Sequence, residues 1–134
     1  MRPQPPPTPR YWTYDRGEGW QAFAGKSAVD HDLLSLHFAQ PTDLWFHASA
    51  LPGSHVLLRG PEGEAASTER IHAAAAIAAY HSKARTAKRC KVDYCLARHV
   101  SKPARVPAGE VTITHFKSLQ AAPALPPPPA PPAT

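Results

Sequence analysis

Short runs of alternating apolar and polar residues are interleaved with two stretches of helical periodicity. Trp20-Gln21-Ala22-Phe23-Ala24 reads as a strand ended by Gly25-Lys26, and residues 11–14 start a strand or pack at its edge. Residues 30–39 place Leu33, Leu34, Leu36 and Phe38 in a short amphipathic helix, with Asp30 as its cap and Pro41 as its stop. Residues 43–59 read as two strands joined at Pro52-Gly53, where Gly53 is expected to serve a turn of unusual backbone angles. Alternation sets Leu44, Phe46 and Ala48 on one face, and Asp43, Trp45 and His47 on the other. A long helix is predicted over 68–88, capped by Ser67 or Thr68, with Ile71, Ala74, Ala75, Ala78 and Ser82 as a stripe of mostly small residues. Strands follow at 91–100 and 111–120, separated by a loop marked by Lys102-Pro103 and Pro107-Ala108-Gly109.

This order predicts an α+β fold: a single mixed or antiparallel sheet of about five strands, with two helices packed on one face. The opposite face would then be free to bind. An ordinary wet face carries small or charged residues, whereas this one offers an indole, an imidazole and a carboxylate side by side.

Composition limits the ordered part. The chain has 134 residues and 17 prolines, five of them between Pro3 and Pro9 and seven between Pro123 and Pro132. Segments 1–10 and 123–134 are read as flexible, extended Pro-rich tails, either solubilising tethers or ligands for a proline-reading protein partner. One domain of modest core is expected over 11–122. No apolar run approaches the ~20 residues of a membrane span, and no signal segment is visible. Cys90 and Cys95 would point to opposite faces of a strand, so two reduced thiols and a cytoplasmic location are expected.

The formal net charge of +5 is one block. Residues 83–105 hold Lys83, Arg85, Lys88, Arg89, Lys91, Arg98, Lys102 and Arg105 against Asp93 alone, a local net charge of +7. Such a concentration is the footprint of a polyanion, most often nucleic acid. A basic helix end favoured by the helix dipole is the simpler alternative, but the block runs well past the last predicted turn.

Candidate chemistry follows from these two features. Trp45 on a wet face can stack on an unpaired base, with Asp43 and His47 beside it to contact base, 2′-hydroxyl or phosphate. An Asp–His hydrogen bond closing the hairpin is an equally good account of that pair. His55 falls with Leu57 and Arg59 near His47. Lys83, Arg85, Lys88, Lys91, Arg98 and Lys102 supply phosphate contacts, with His99 at the end of their strand. Tyr94 is assigned to the core. The histidine spacings match no compact metal motif, and Cys90 and Cys95 are no Cys-x-x-Cys pair, so neither metal nor cofactor is expected. A small hydrolase or metal-assisted enzyme using Asp43, His47 and His55 is the alternative, unsupported by a nucleophile motif or a phosphate loop.

Five blocks in order also carry a resemblance. Asp43-Leu44-Trp45-Phe46-His47, Pro52-Gly53-Ser54-His55-Val56, Ala78-Ala79-Tyr80-His81-Ser82-Lys83-Ala84-Arg85, Val92-Asp93-Tyr94 and His99-Val100-Ser101-Lys102-Pro103 resemble the RNA-binding domain of the NFACT proteins, factors of ribosome quality control. The likeness extends from about Trp20 to Pro123. Lys26 stands where the family usually has Arg, and His31 where it commonly has Asn. Larger members add a catalytic-like domain, helix-hairpin-helix segments and a coiled coil, so the resemblance implies the RNA-binding module rather than their tailing activity. It implies a non-catalytic cytoplasmic protein engaging tRNA or ribosomal RNA, on the large ribosomal subunit in the fullest version, with no small-molecule substrate.

Overall fold

The computed structural model describes residues 7–127. Strands β1 (Tyr11–Gly17) and β2 (Trp20–Gly25) form a hairpin, followed by helix α1 (Ala28–Leu33), which continues into a π-helical turn at Leu34–Phe38. Strands β3 (Leu44–Ala48) and β4 (Val56–Arg59) precede helix α2 (Thr68–Tyr80). Strand β5 (Cys90–Leu96), the short pair β6 (Val100–Ser101) and β7 (Thr112–Ile113), and β8 (Lys117–Ala121) complete the chain. Six strands make one sheet in the order β1-β2-β4-β3-β5-β8, and every pairing is antiparallel.

The α+β class follows the hydrophobic pattern, and the differences have local causes. Residues 11–17 are a full edge strand because Gly17, Glu18 and Gly19 all take positive φ (78°, 55° and 83°), which closes a tight hairpin. The predicted strand over 111–120 splits because His115 sits at φ 52°, sending β7 to β6 and β8 to β5. Helix α1 is capped by Ser27, whose Oγ accepts from the Asp30 amide; Asp30 instead accepts from the Arg10 amide at 2.9 Å. That amide, and then the Ser27 hydroxyl and Arg10 guanidinium, hold the Asp30 carboxyl below the usual range.

Helix α2 lies on one face of the sheet. Ala74, Ala75, Ile77, Ala78 and Ala79 are buried against Ala22, Phe46, Val56, Leu58 and Val92. Four alanines among these five let the helix axis approach the strands closely, as the small-residue stripe predicted. The helix stops at Tyr80 rather than at residue 88. Ser82 Oγ donates to the Ala79 carbonyl at 2.7 Å and accepts from the Ala84 amide, while Arg85 Nε donates to the Tyr80 carbonyl at 2.7 Å. Side chains thus satisfy the last turn, and the basic segment leaves as a series of tight turns.

The two helices do not share a face. The α1 segment covers the other side, where Leu34 and Phe38 pack with Phe23, Trp45 and Leu57. Alternation sorted the residues of β3 correctly, but the side on which α1 crosses the sheet is a tertiary fact invisible to local pattern. The consequence is a sandwich with two covered faces, and the expected free face is closed over Trp45 and open only as a cleft at its His47 end. Cys90 packs with the α2 core and Cys95 with the α1 core.

At both ends the described residues pack on the fold. Lys26 N donates to the Arg10 carbonyl, Ala124 N donates to the Ala76 carbonyl, and Arg16 Nη1 donates to the Pro127 carbonyl. The remaining tail positions, 1–6 and 128–134, lie outside the described residues.

Candidate nucleic-acid interface

The face of β3 carrying Asp43, Trp45 and His47 is an interior. Trp45 is 1 % exposed, and its Nε1 donates to Ser35 Oγ at 2.8 Å. Ser35 bonds His55 Nδ1 at 2.8 Å, and His55 Nε2 reaches the Gly109 carbonyl at 3.1 Å. His55 Nδ1 also lies 3.3 Å from the His31 carbonyl. Burial, with His47 and His31 nearby, lowers the His55 pKa to about 3. The chain Trp45–Ser35–His55–Gly109 therefore ties β3, the π turn, β4 and the loop before β7 into one polar staple. Trp45 and His55 are corrected from exposed platform to core; an indole hydrogen-bonded to a side chain of the preceding element, ten residues back, leaves no signature in strand alternation.

Asp43 and Arg59 are corrected likewise. Arg59 grips Asp43 with Nε to Oδ1 at 2.9 Å and Nη2 to Oδ2 at 2.7 Å, and lies over the Phe23 and Phe38 rings. Asp43 and His47 are four residues apart on one strand, about 13 Å along it. With its carboxylate committed to Arg59, Asp43 makes no acid–base constellation with His47 and His55. Lys102 is also a structural clamp: its Nζ donates to the Pro107 and Glu110 carbonyls and pairs with Asp32 at 3.2 Å. His99 is half-buried against the His115 ring, at 4.6 Å between centroids. Tyr94 stacks on Phe46 at the core edge, as expected.

The remaining cations stand in solvent. Lys83, Arg85, Lys88, Arg89 and Lys91 are all exposed along the turns from α2 into β5, and Arg98 is exposed beyond its end. Beside the start of this run is a surface aromatic group that the sequence reading passed over. Trp12 on β1 is 40 % exposed and stacks on His81 at 4.5 Å between ring centroids, 13° from parallel. Lys26 Nζ lies 5.1 Å from the indole centroid, and Arg85 lies 4.1 Å over Tyr80. His81 is fixed by Tyr14 Oη at 2.7 Å, and burial together with Arg85 lowers its pKa to about 4. The available signal was position: Trp12 is one strand position from Tyr11, on a strand that is an edge of the sheet among the described residues.

A cleft of about 760 Å³ adjoins the basic run. His31, His47, Asp93 and Gly109 contribute to its walls, and the loop joining β3 to β4 forms one lip. That lip is bound to the basic turn: Gly53 pairs with Ser82, and the Lys83 amide donates to the Pro52 carbonyl. Gly53 serves close approach rather than a special backbone angle, because a Cβ there would lie 2.8 Å from Ser82 Cβ. Among the described residues no group of three or more His, Cys, Asp or Glu is arranged to hold a metal ion. No helix among them is long and apolar enough to cross a membrane.

A small α+β sandwich with a bare cationic ridge beside an exposed indole is a nucleic-acid-binding type of module. The chain belongs to the NFACT protein RNA-binding domain family, whose model matches residues 10–115. It is 37 % identical over 112 residues to the Rqc2 homolog RqcH of Bacillus subtilis, covering 84 % of this chain and 19 % of that protein. To the Rqc2 homolog RqcH of Streptococcus suis it is 37 % identical over 99 residues, covering 74 % and 18 %. The structure of the C-terminal part of the fibronectin/fibrinogen-binding protein from Streptococcus suis matches with a TM-score of 0.77 at 31 % identity, covering 92 % of this chain and 49 % of that one. The chain spans about a fifth of the length of the curated relatives it matches.

Proposed function

We propose that this chain is a non-catalytic RNA-binding module of the cytoplasm, engaging tRNA or ribosomal RNA on the large ribosomal subunit in ribosome quality control. The carrying observation is the exposed run Lys83, Arg85, Lys88, Arg89 and Lys91, contiguous with the Trp12–His81 stack. The cations neutralise phosphates and give affinity without sequence choice, while the indole offers a surface on which an unpaired base can stack. Arg98 extends the cationic surface past β5, and His47 faces the adjoining cleft. Asp43, Trp45, His55, Arg59 and Lys102 act through the fold, by holding the cleft and the loops in place. The RqcH relatives support the ribosomal setting.

Titration of labelled tRNA and of a single-stranded RNA over a range of salt concentrations tests this reading. Affinity should fall linearly on a log–log plot, with a slope near −0.7 per neutralised phosphate for the single strand. Lys83→Glu combined with Arg85→Glu should weaken both RNAs and flatten the single-strand slope by about 0.7 for each lost contact. Undetectable or salt-independent binding would overturn it.

A further inference from the structure

The cleft beside the ridge has features that phosphate binding leaves unused. His47 is half-buried in its wall, 5.8 Å from the Trp45 ring and 5.1 Å from the His55 ring between centroids. Among the described residues neither ring nitrogen of His47 has a hydrogen-bond partner. Asp93 lies directly across the β3–β5 ladder from His47. Its Oδ1 accepts from Ser118 Oγ at 2.6 Å, which leaves Oδ2 open. An uncommitted carboxylate oxygen and an uncommitted imidazole therefore stand as neighbours about 5 Å apart at their Cβ atoms. Apolar walls from Pro52, Pro103, Val106 and Ile113 enclose them. The volume falls in the range of small-molecule sites, about 300–1,000 Å³, and few polar groups in an apolar enclosure is the make-up of such a site.

Charge and continuity indicate the occupant. Lys83 is tied through its amide to Pro52 on the lip, and the Lys91 carbonyl accepts from the Ser49 amide at the other end of the same loop. Both lysine side chains are exposed, so a phosphate backbone following the ridge passes the mouth of the cleft. We propose that the cleft receives one unpaired base of the bound RNA, read by Asp93 and His47, with guanine preferred. Guanine offers two adjacent N–H donors to the Asp93 carboxylate, whose Oδ2 is open and whose Oδ1 keeps a second lone pair beside Ser118, and an acceptor oxygen to an imidazole N–H, a combination the other three bases lack. The neutral His47, kept so chiefly by burial, supplies one donor without adding a buried charge. This inference rests on the RNA-binding reading and adds a base-selective position to it.

The experiment uses the full chain and short oligouridines in which one central nucleotide is guanosine, adenosine or abasic ribose. The guanosine oligomer should bind about ten-fold tighter than the abasic one, with adenosine between them. Asp93→Asn keeps an acceptor for Ser118 and should remove the guanosine advantage while the salt-dependent affinity for all three remains. His47→Gln is the second variant and should give the same loss of discrimination. The Lys83→Glu, Arg85→Glu protein should weaken all three oligomers alike and keep their ratio. Equal wild-type affinity for guanosine and abasic oligomers overturns the base site and spares RNA binding. Failure of every oligomer and of tRNA to bind overturns both.

Discussion

Two indoles in this chain each stand against a histidine, and they do opposite things. Trp45 meets His55 edge-on at 5.1 Å between centroids, inside the α1 side of the sandwich, with its N–H bonded to Ser35. Trp12 stacks flat on His81 at the edge of the α2 side, open to solvent and under a lysine. Both imidazoles are kept neutral chiefly by burial, yet only one pair is sealed. Side-chain type and strand alternation are the same for both; what separates them is cover. A helix crosses above Trp45, whereas β1 is an edge strand of the sheet among the described residues. The chemistry of a residue is therefore set by its layer in the fold, one level above the sequence pattern that identified it.

Replacing each indole breaks the comparison most sharply. Trp45→Ala removes the largest fully buried side chain, the donor to Ser35 Oγ and the ring that His55 packs against. A loss of about 3–5 kcal/mol in unfolding free energy is expected from the cavity alone. Urea denaturation followed by circular dichroism measures it. A loss below about 1 kcal/mol would mean that α1 does not hold this face.

Acid distinguishes the two histidines next. Their folded pKa values, about 3 for His55 and about 4 for His81, lie below the unfolded value of 6.5. Between those limits the unfolded chain binds more protons than the folded one, so stability is full above pH 6.5 and declines as the pH falls. His55 contributes a slope of up to about 1.4 kcal/mol per pH unit across this window, or about 2 kcal/mol by pH 5. Urea midpoints at pH 7, 6 and 5 should fall progressively, and His81→Gln should lessen the dependence without abolishing it. A flat profile would mean that His55 reaches solvent. The Gly53–Ser82 contact gives a comparable, purely steric effect: Gly53→Ala should cost about 1–3 kcal/mol by forcing the lip off the basic turn.

Much of the architecture was legible in the chain. Alternation in Leu44–Ala48 sorted the two faces of β3, the alanine stripe identified the packing side of α2, and the charge count located a basic block at 83–105, of which the stretch 83–91 forms the exposed ridge. Most of what failed had one physical origin. Periodicity reports which residues share a face, and nothing local reports what lies over that face. Trp45, His55, Asp43 and Arg59 were all assigned to a wet surface because the crossing of α1 was placed on the wrong side. Lys102 and the end of α2 differ for another reason: side-chain bonds to nearby backbone carbonyls decide them, and hydrophobic periodicity does not report such bonds. Trp12 was overlooked because its strand is flanked by proline and its partner His81 lies 69 residues away.

The smallest stability change, and the most useful functional one, belongs to Trp12. Its truncation removes a stack on His81 and a lysine contact, but no core volume, so Trp12→Ala should cost about 1 kcal/mol or less in urea. If the indole is a stacking platform, the same variant should weaken single-stranded RNA binding by about 5- to 100-fold, the equivalent of one lost base stack. Trp12→Phe keeps an aromatic face and should recover most of that loss. A purely structural indole predicts the reverse pairing, with urea midpoints that track ring size and RNA affinity that does not move. Measured at one salt concentration, the contrast separates the indole from the cations around it, since Lys26 and Arg85 remain in place in both variants. Unchanged affinity in Trp12→Ala would leave phosphate contacts as the whole of the interaction on this surface, and the ridge would then bind RNA by charge alone.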